Sequence, residues 1–255
     1  MNILLLEEGE SGSLIPRGDR RWEHVKKVLK KAPGESLAAG MVDGPLGEAI
    51  VRELGDSGLV LDFEAFDGPA GLAPALAPVR LVLGFPRPIQ AARILKELTS
   101  LGLAEIHLTG TELGEKSYAM SAIFKDQAFR RPLIEGAEQA GNPRLPKVFR
   151  HWSLRLCLEA LASRESSGEA LGDRIFLHPY GDSEPMGAYL ARSSSPGLRP
   201  PVTLAVGSER GWTETELAAL RSEGFSGKSL GSRILKTETA ALAASVLALA
   251  ALDII

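Results

Sequence analysis

From Val79 onward, short apolar runs alternate with amphipathic stretches, and this alternation constrains the fold more than any other feature of the chain. VRLVLGF reads as a buried strand, and IQAARILKELTSLG as an amphipathic helix stopped by Gly102. EIHLTG is a second strand. AIFKDQAFRRPLIEGAEQAG predicts a long helical region that Pro132 starts, kinks or breaks, because proline has no N–H to give the helix ladder. SLRLCLEALAS predicts a further helix, and RIFLHPYG and VTLAVG two more strands. TETE at Thr213–Glu216 spells a capping box for a helix that closes at Gly224. Strands separated by helices pair in parallel, so an α/β domain with helices on both sheet faces is expected.

The first third has another rhythm. Between Ser36 and Phe66 the runs SLAAGMV, EAIVREL and LVLDFEAF are separated by the turn signals DGPLG and GDSG. That pattern predicts a small barrel or sheet. The Pro/Gly/Ala stretch from Asp67 to Pro78 separates the two rhythms. The expected division is a domain at 1–70, a linker at 71–78 and a domain at 79–255.

Composition narrows the function. The net charge of −3 over 255 residues does not advertise a polyanion partner, so charge must be read locally. Between Arg17 and Lys31 it is concentrated: Arg17, Arg20, Arg21, Lys26, Lys27, Lys30 and Lys31 face only Asp19 and Glu23. Cys157 is the single cysteine, which excludes an internal disulfide and a zinc site built on several thiolates. In its apolar-periodic setting it reads as core filler. The start MNILLLEEGE lacks the basic region of a signal peptide. The longest apolar run, Ala240 to Leu252, falls short of the ~20 residues a membrane span needs. A cytoplasmic protein with no membrane partner is expected.

Ligands of open parallel sheets bind beyond the carboxyl ends of the strands. Three glycine-bearing segments are expected there: LHPYG (177–181), VGSERGW (206–212) and SLGSRILKTET (229–239). None matches a phosphate cradle. On spacing alone they are equally well three ordinary strand-to-helix turns.

The particular residues say more. Gly207-Ser208-Glu209-Arg210-Gly211, then Gly224-Phe225, then Leu230-Gly231-Ser232-Arg233-Ile234-Leu235-Lys236-Thr237-Glu238-Thr239-Ala240 resembles the C-terminal signature of the RsmE family. These SPOUT-fold enzymes methylate N3 of a uridine in 16S ribosomal RNA with S-adenosylmethionine (SAM). EKSYAMS (115–121), EGAEQAGNPRLPKV (135–148) and RWEHVKKVLK (21–30) resemble other family segments in the same order. The chain departs from the pattern at Ser208, where the family has proline, at Arg210, where it has glycine, and at Lys236, where it has arginine.

The resemblance implies a SPOUT fold ending in a deep trefoil knot, preceded by a PUA-like β-barrel that helps hold RNA. It implies a homodimer, 16S rRNA and the small ribosomal subunit as partners, no DNA, and SAM as methyl donor with no metal. It places SAM against Leu177, His178, Gly181, Val206, Gly207, Glu209, Gly211, Leu230, Gly231, Ile234, Leu235 and Thr237. Arg233, Glu209 and Lys236 are the catalytic candidates, the two cations for charge on the uracil oxygens and Glu209 as base or SAM orienter. Thr237 is also a candidate cap for the last helix. RNA contacts are expected from Arg17, Arg20, Arg21, Lys26, Lys27, Lys116, Arg130, Arg131 and Arg144, with Arg150 beside them. Two other readings remain: a SPOUT enzyme modifying another RNA position, such as a ribose 2′-OH, and an RNA-binding ribosome-assembly factor without methyl transfer. SAM binding separates the last from the first two.

Overall fold

The computed structural model describes residues 1–170, 172–180, 183–192 and 198–255, except for the side chains of Glu165 and Arg192. The chain divides into two compact units: 1–75 with 133–145, and 76–132 with 146–255.

In the first unit, β1 (Leu4–Leu6), β2 (Leu14–Pro16), β3 (Ser36–Met41), β4 (Leu46–Leu54) and β5 (Gly58–Ala65) form one sheet in the order β1-β3-β4-β5-β2. It curls as a half-barrel with β1 and β2 at its edges, so the expected barrel is open. Alternate residues enter a core of Leu4, Leu6, Ile15, Ala39, Val51, Leu59 and Leu61, with Trp22 and Val25 from the connection after β2. That connection is α1 (Arg20–Glu23), which runs on as a π-helical turn over His24–Leu29 and ends at Lys30 in the left-handed region, φ 51°. The indole Nε1 of Trp22 donates to the Gly55 carbonyl at 3.0 Å. Residues 133–145 complete this unit. Glu138, 1% exposed, accepts from the Leu5 N–H at 3.2 Å and pairs with Arg20, and its carbonyl accepts from Asn2 and Ile3.

Among the described residues, the second unit holds seven parallel strands in the order β10-β12-β9-β11-β6-β7-β8. They are β6 (Ala77–Gly84), β7 (Leu103–Thr109), β8 (Lys147–His151), β9 (Arg174–Leu177), β10 (Glu184–Pro185), β11 (Val202–Val206) and β12 (Ser226–Ser229). The helices are α2 (Pro88–Ser100), α3 (Arg130–Ala140), α4 (Leu154–Ser166), α5 (Met186–Arg192), α6 (Glu214–Ser222) and α7 (Thr237–Ala251). Of α3, residues from Leu133 on belong to the first unit.

Local chemistry explains the boundaries. Pro88 opens α2, its buried Ala91, Ile94, Leu95 and Leu98 follow a helical period, and Gly102 at φ +78° leaves it. Thr213 and Glu216 make the expected reciprocal cap on α6. Pro132 sits in the first turn of α3, the position proline tolerates. Of the helical region predicted from Ala122, the first part forms only a short 3-10 turn, Ala122–Phe124, and the helix α3 begins at Arg130; a further 3-10 turn, Lys116–Met120, precedes that region. β6 and β11 are buried on both faces. α4 and α6 pack over Val82, Phe176 and Ala205, while α7 packs on β6, β11, α2 and α5.

The polar strand β12 has no apolar signature. Pairing with β9 and β10 makes it a strand, and Lys228 within it is held by Glu184 at 3.0 Å and by the Tyr189 ring at 4.0 Å. Residues 193–197 of the expected loop lie outside the described residues. Cys157 is fully buried, and burial pushes its thiol up to about 12, which keeps it inert. No helix among the described residues is long and apolar enough to cross a membrane.

Candidate active site

β12, β9 and β11 are neighbours, so the loops leaving their carboxyl ends are neighbours too. Together they enclose a cavity of about 400 Å³. Its walls are Leu177, His178, Pro179 and Tyr180 from the first loop, Val206 to Trp212 from the second, and Leu230, Arg233, Ile234, Leu235, Thr237 and Ala240 from the third.

Glycines set the shape of the middle loop. Gly211 turns back with φ +76°, and its N–H donates to the Ser208 carbonyl at 2.8 Å. A side chain at Gly207 would bring its Cβ within 2.9 Å of the Gly211 carbonyl carbon. Gly84, at the end of β6, lies so close that a Cβ there would sit 2.5 Å from the Ser208 nitrogen. The backbone of 207–211 is therefore exposed to a ligand and pinned from below. In the third loop Gly231 adopts φ +98°, a conformation side chains rarely adopt.

Glu209 is oriented from the next strand. Its Oε1 accepts from the backbone N–H of Arg87 at 3.0 Å, and the Arg87 Nε is 4.0 Å away. Arg233 and Arg210 are exposed, and among the described residues neither has an acidic partner. α7 starts at the cavity. The cap position is held by Lys236, with extended backbone (φ −64°, ψ 152°) and no side-chain cap. Thr237 is thus the first helical residue and not the cap. The open N–H groups of this first turn carry the positive end of the helix dipole to the cavity wall.

Of the expected SAM residues, Leu177, His178, Val206, Gly207, Glu209, Gly211, Leu230, Ile234, Leu235 and Thr237 line this one cavity, as does Arg233. Gly231 instead lines a neighbouring hollow beside α7. Lys236 is exposed and lines neither. Gly181 lies outside the described residues. Tyr180, Trp212, Glu214 and Ala240 line the cavity without having been singled out. Tyr180 and Trp212 were expected only as members of the strand-end segments LHPYG and VGSERGW.

A model of the RNA methyltransferase domain matches residues 74–249. The ribosomal RNA small subunit methyltransferase E of Treponema pallidum is 38% identical over 98% of this chain and 91% of that relative. The chain belongs to the ribosomal RNA small subunit methyltransferase E family. The family's enzyme 1 from Borreliella burgdorferi is 31% identical, over 97% of both chains. The fold is shared with the Neisseria gonorrhoeae methyltransferase E solved bound to S-adenosyl methionine, at TM-score 0.72 and 20% identity over 98% of this chain and 97% of that one.

In this family member the basic N-terminal run is largely neutralised by its own fold. Arg21, its side chain 13% exposed, is clamped by Glu10 at 2.6 Å and Asp19 at 3.1 Å. Lys26 pairs with Asp56 at 3.5 Å, Lys27 with Glu23 at 2.8 Å and Lys31 with Glu35 at 3.8 Å. Arg17 rests 5.8 Å from the Trp22 ring centroid. Six carboxylates thus answer a cluster that reads as strongly positive in sequence: Glu10, Asp19, Glu23, Glu35, Asp56 and Glu138. Arg144 donates to the Ala73 carbonyl at 3.2 Å. Lys116 and Arg131 are exposed and Arg130 half-buried. His107, expected to be structural, is buried and shares a hydrogen bond with Glu105 at 3.1 Å.

Proposed function

We propose that this chain transfers the methyl group of SAM to N3 of a uridine in 16S rRNA, in the cytoplasm, as its family membership and its cavity support. The observation that carries the reading is the cavity itself: three strand-end loops meet around apolar walls and backbone, with the exposed Glu209 and Arg233 among its lining. Its volume of about 400 Å³ is in the range of small-ligand sites. Two buried ring nitrogens of its lining, His178 Nδ1 and Trp212 Nε1, have no protein partner among the described residues. Unpaired buried polar atoms cost ~1–3 kcal/mol each. A ligand as rich in nitrogen and oxygen as SAM relieves such costs, so the residues present fit it.

SAM supplies an electrophilic methyl on a sulfonium. Leu177, Val206, Leu230 and Leu235 hold the apolar parts of the donor and keep water from it, while the Gly207–Gly211 backbone and the first turn of α7 offer polar groups. The N3 proton of uracil must leave before attack. Arg233 stabilises the negative charge left on the uracil oxygens, as a cation in the cavity lining where that charge develops. Glu209, anchored through Oε1, has Oε2 free to orient the bound donor or to take the proton. Lys236, just before α7, adds positive potential for the RNA.

The N-terminal half-barrel is the natural second hold on the RNA, and the C-terminal segment through α7 is the part the family threads as a trefoil knot. α7 buries Ala241, Ala244, Ser245, Ala248 and Leu249 on one face, leaving Leu242 and Leu247 half-buried and Val246 39% exposed on the other. That second apolar face supports a homodimer. Isothermal calorimetry with SAM tests the cavity reading: one site per chain is expected, and no heat of binding at millimolar SAM overturns it.

A further inference from the structure

Three aromatic rings are strongly exposed among the described residues: Phe66, Tyr180 and Trp152. Phe66 belongs to the first unit. Tyr180 (60% exposed) stands at the mouth of the active-site cavity, after β9. Trp152 (68% exposed) immediately follows β8 at the same, carboxyl, end of the sheet. An indole left in water by a folded chain is the kind of surface residue that calls for an explanation.

The Trp152 backbone is fixed on both sides. Before it, the His151 carbonyl accepts from the Gly110 N–H at 3.0 Å, and a Cβ at Gly110 would lie 2.3 Å from the Trp152 carbonyl oxygen. After it, Ser153 caps α4, accepting the Leu156 N–H at 3.3 Å on its hydroxyl. Beside the ring is a cavity of about 240 Å³ lined by Phe85, Arg150, His151 and Trp152. Arg150 is fixed as well. It donates to the Phe124 carbonyl at 2.6 Å and the Ala119 carbonyl at 2.9 Å, and stacks over the Phe124 ring at 5.6 Å. No carboxylate among the described residues pairs with it, so its charge is uncompensated.

This second cavity lies at the carboxyl ends of the same sheet as the first. β11, β6, β7 and β8 are consecutive, so the Trp152 end lies three strand spacings, about 14 Å, from the Gly207–Gly211 loop. Phe85, between them, follows Gly84, which touches Ser208. A rigid indole face, room for one planar ring and a fixed guanidinium are what a single-stranded nucleotide requires: stacking for the base, a cation for the phosphate.

We propose that Trp152 is a stacking platform for an unpaired RNA base a few nucleotides from the methylated uridine, with Arg150 holding the adjoining phosphate. This rests on the reading of the chain as an RNA methyltransferase and assigns it a second nucleotide subsite.

The test compares wild type, Trp152→Ala and Trp152→Phe for Kd on a mixed-sequence single-stranded RNA and on intact small ribosomal subunits, with SAM affinity and thermal unfolding alongside. Trp152→Ala should weaken RNA binding about ten-fold while Trp152→Phe keeps most of it. Unfolding temperature, SAM affinity and the slope of affinity against salt should stay at wild-type values, since stacking releases no counterions. RNA binding by Trp152→Ala within two-fold of wild type overturns the subsite. So does a loss confined to intact subunits, which assigns the ring to a ribosomal protein, or an equal loss in both variants with a lowered unfolding temperature. A wild-type protein that binds neither SAM nor RNA overturns the methyltransferase reading itself.

Discussion

The carboxylate of Glu209 accepts a hydrogen bond from the backbone N–H of Arg87 at 3.0 Å, across 122 residues of sequence. One end of the carboxylate is thereby fixed at the start of α2, and the other is left at the cavity. The family signature names Glu209, but only the fold shows how it is held.

Replacing Glu209 by alanine should lower methyl transfer by ten- to a hundred-fold, the scale of a charged hydrogen bond of ~1.5–3 kcal/mol. Glu209→Gln keeps an acceptor for Arg87 and removes the charge. Steady-state kinetics then separate the two roles. If Glu209 orients SAM, Glu209→Gln raises KM for SAM with little change in kcat; if it takes the proton, kcat falls and its pH profile changes.

Stability should fall in two steps on the acid side. Burial, with the neighbouring His107, holds the His151 imidazole below its ordinary value of 6.5. Its folded form resists protonation, so its contribution is complete above that pH and declines below it. Glu105 is buried, which alone would raise its pKa, but hydrogen bonds from His107 and Arg164 and the charges of Arg164 and Arg80 hold it far below the usual 4.5. Its contribution is present above 4.5 and lost as pH drops toward the folded value. Denaturant melts between pH 3 and 8 should show both declines, and Glu105→Gln should flatten the lower one. Stability in the wild type that does not fall between pH 5 and 3 contradicts this assignment.

The open face of α7 predicts association. Val246→Asp should shift the protein from dimer to monomer in light scattering, because a carboxylate buried without a partner costs several kcal/mol. A wild type that is monomeric at micromolar concentration removes the dimer from the account.

Much of the site was legible because its residues are consecutive. Gly207–Gly211 and Leu230–Thr237 are runs, each follows a strand end, and residues of both line the cavity. What sequence left out came from tertiary contact. SGKS is a strand only because β9 and β10 flank it. The attachment of 133–145 to the N-terminal strands, through Glu138 and Arg20, was no part of the sequence reading. The charge count over 17–31 reads as an RNA face because the answering carboxylates Glu10, Glu35, Asp56 and Glu138 lie outside that window. Tyr180 and Trp212 lay inside the expected segments LHPYG and VGSERGW, but only the fold shows that their own side chains line the cavity.

The most direct measurement is mass spectrometry of nucleosides from small ribosomal subunits incubated with SAM and the purified protein, the subunits coming from cells that lack this gene. N3-methyluridine is expected at one site per subunit, lost with Arg233→Ala at undiminished SAM binding. Methyl groups on a ribose 2′-OH, or none at all from a protein that binds SAM, would contradict the proposed function.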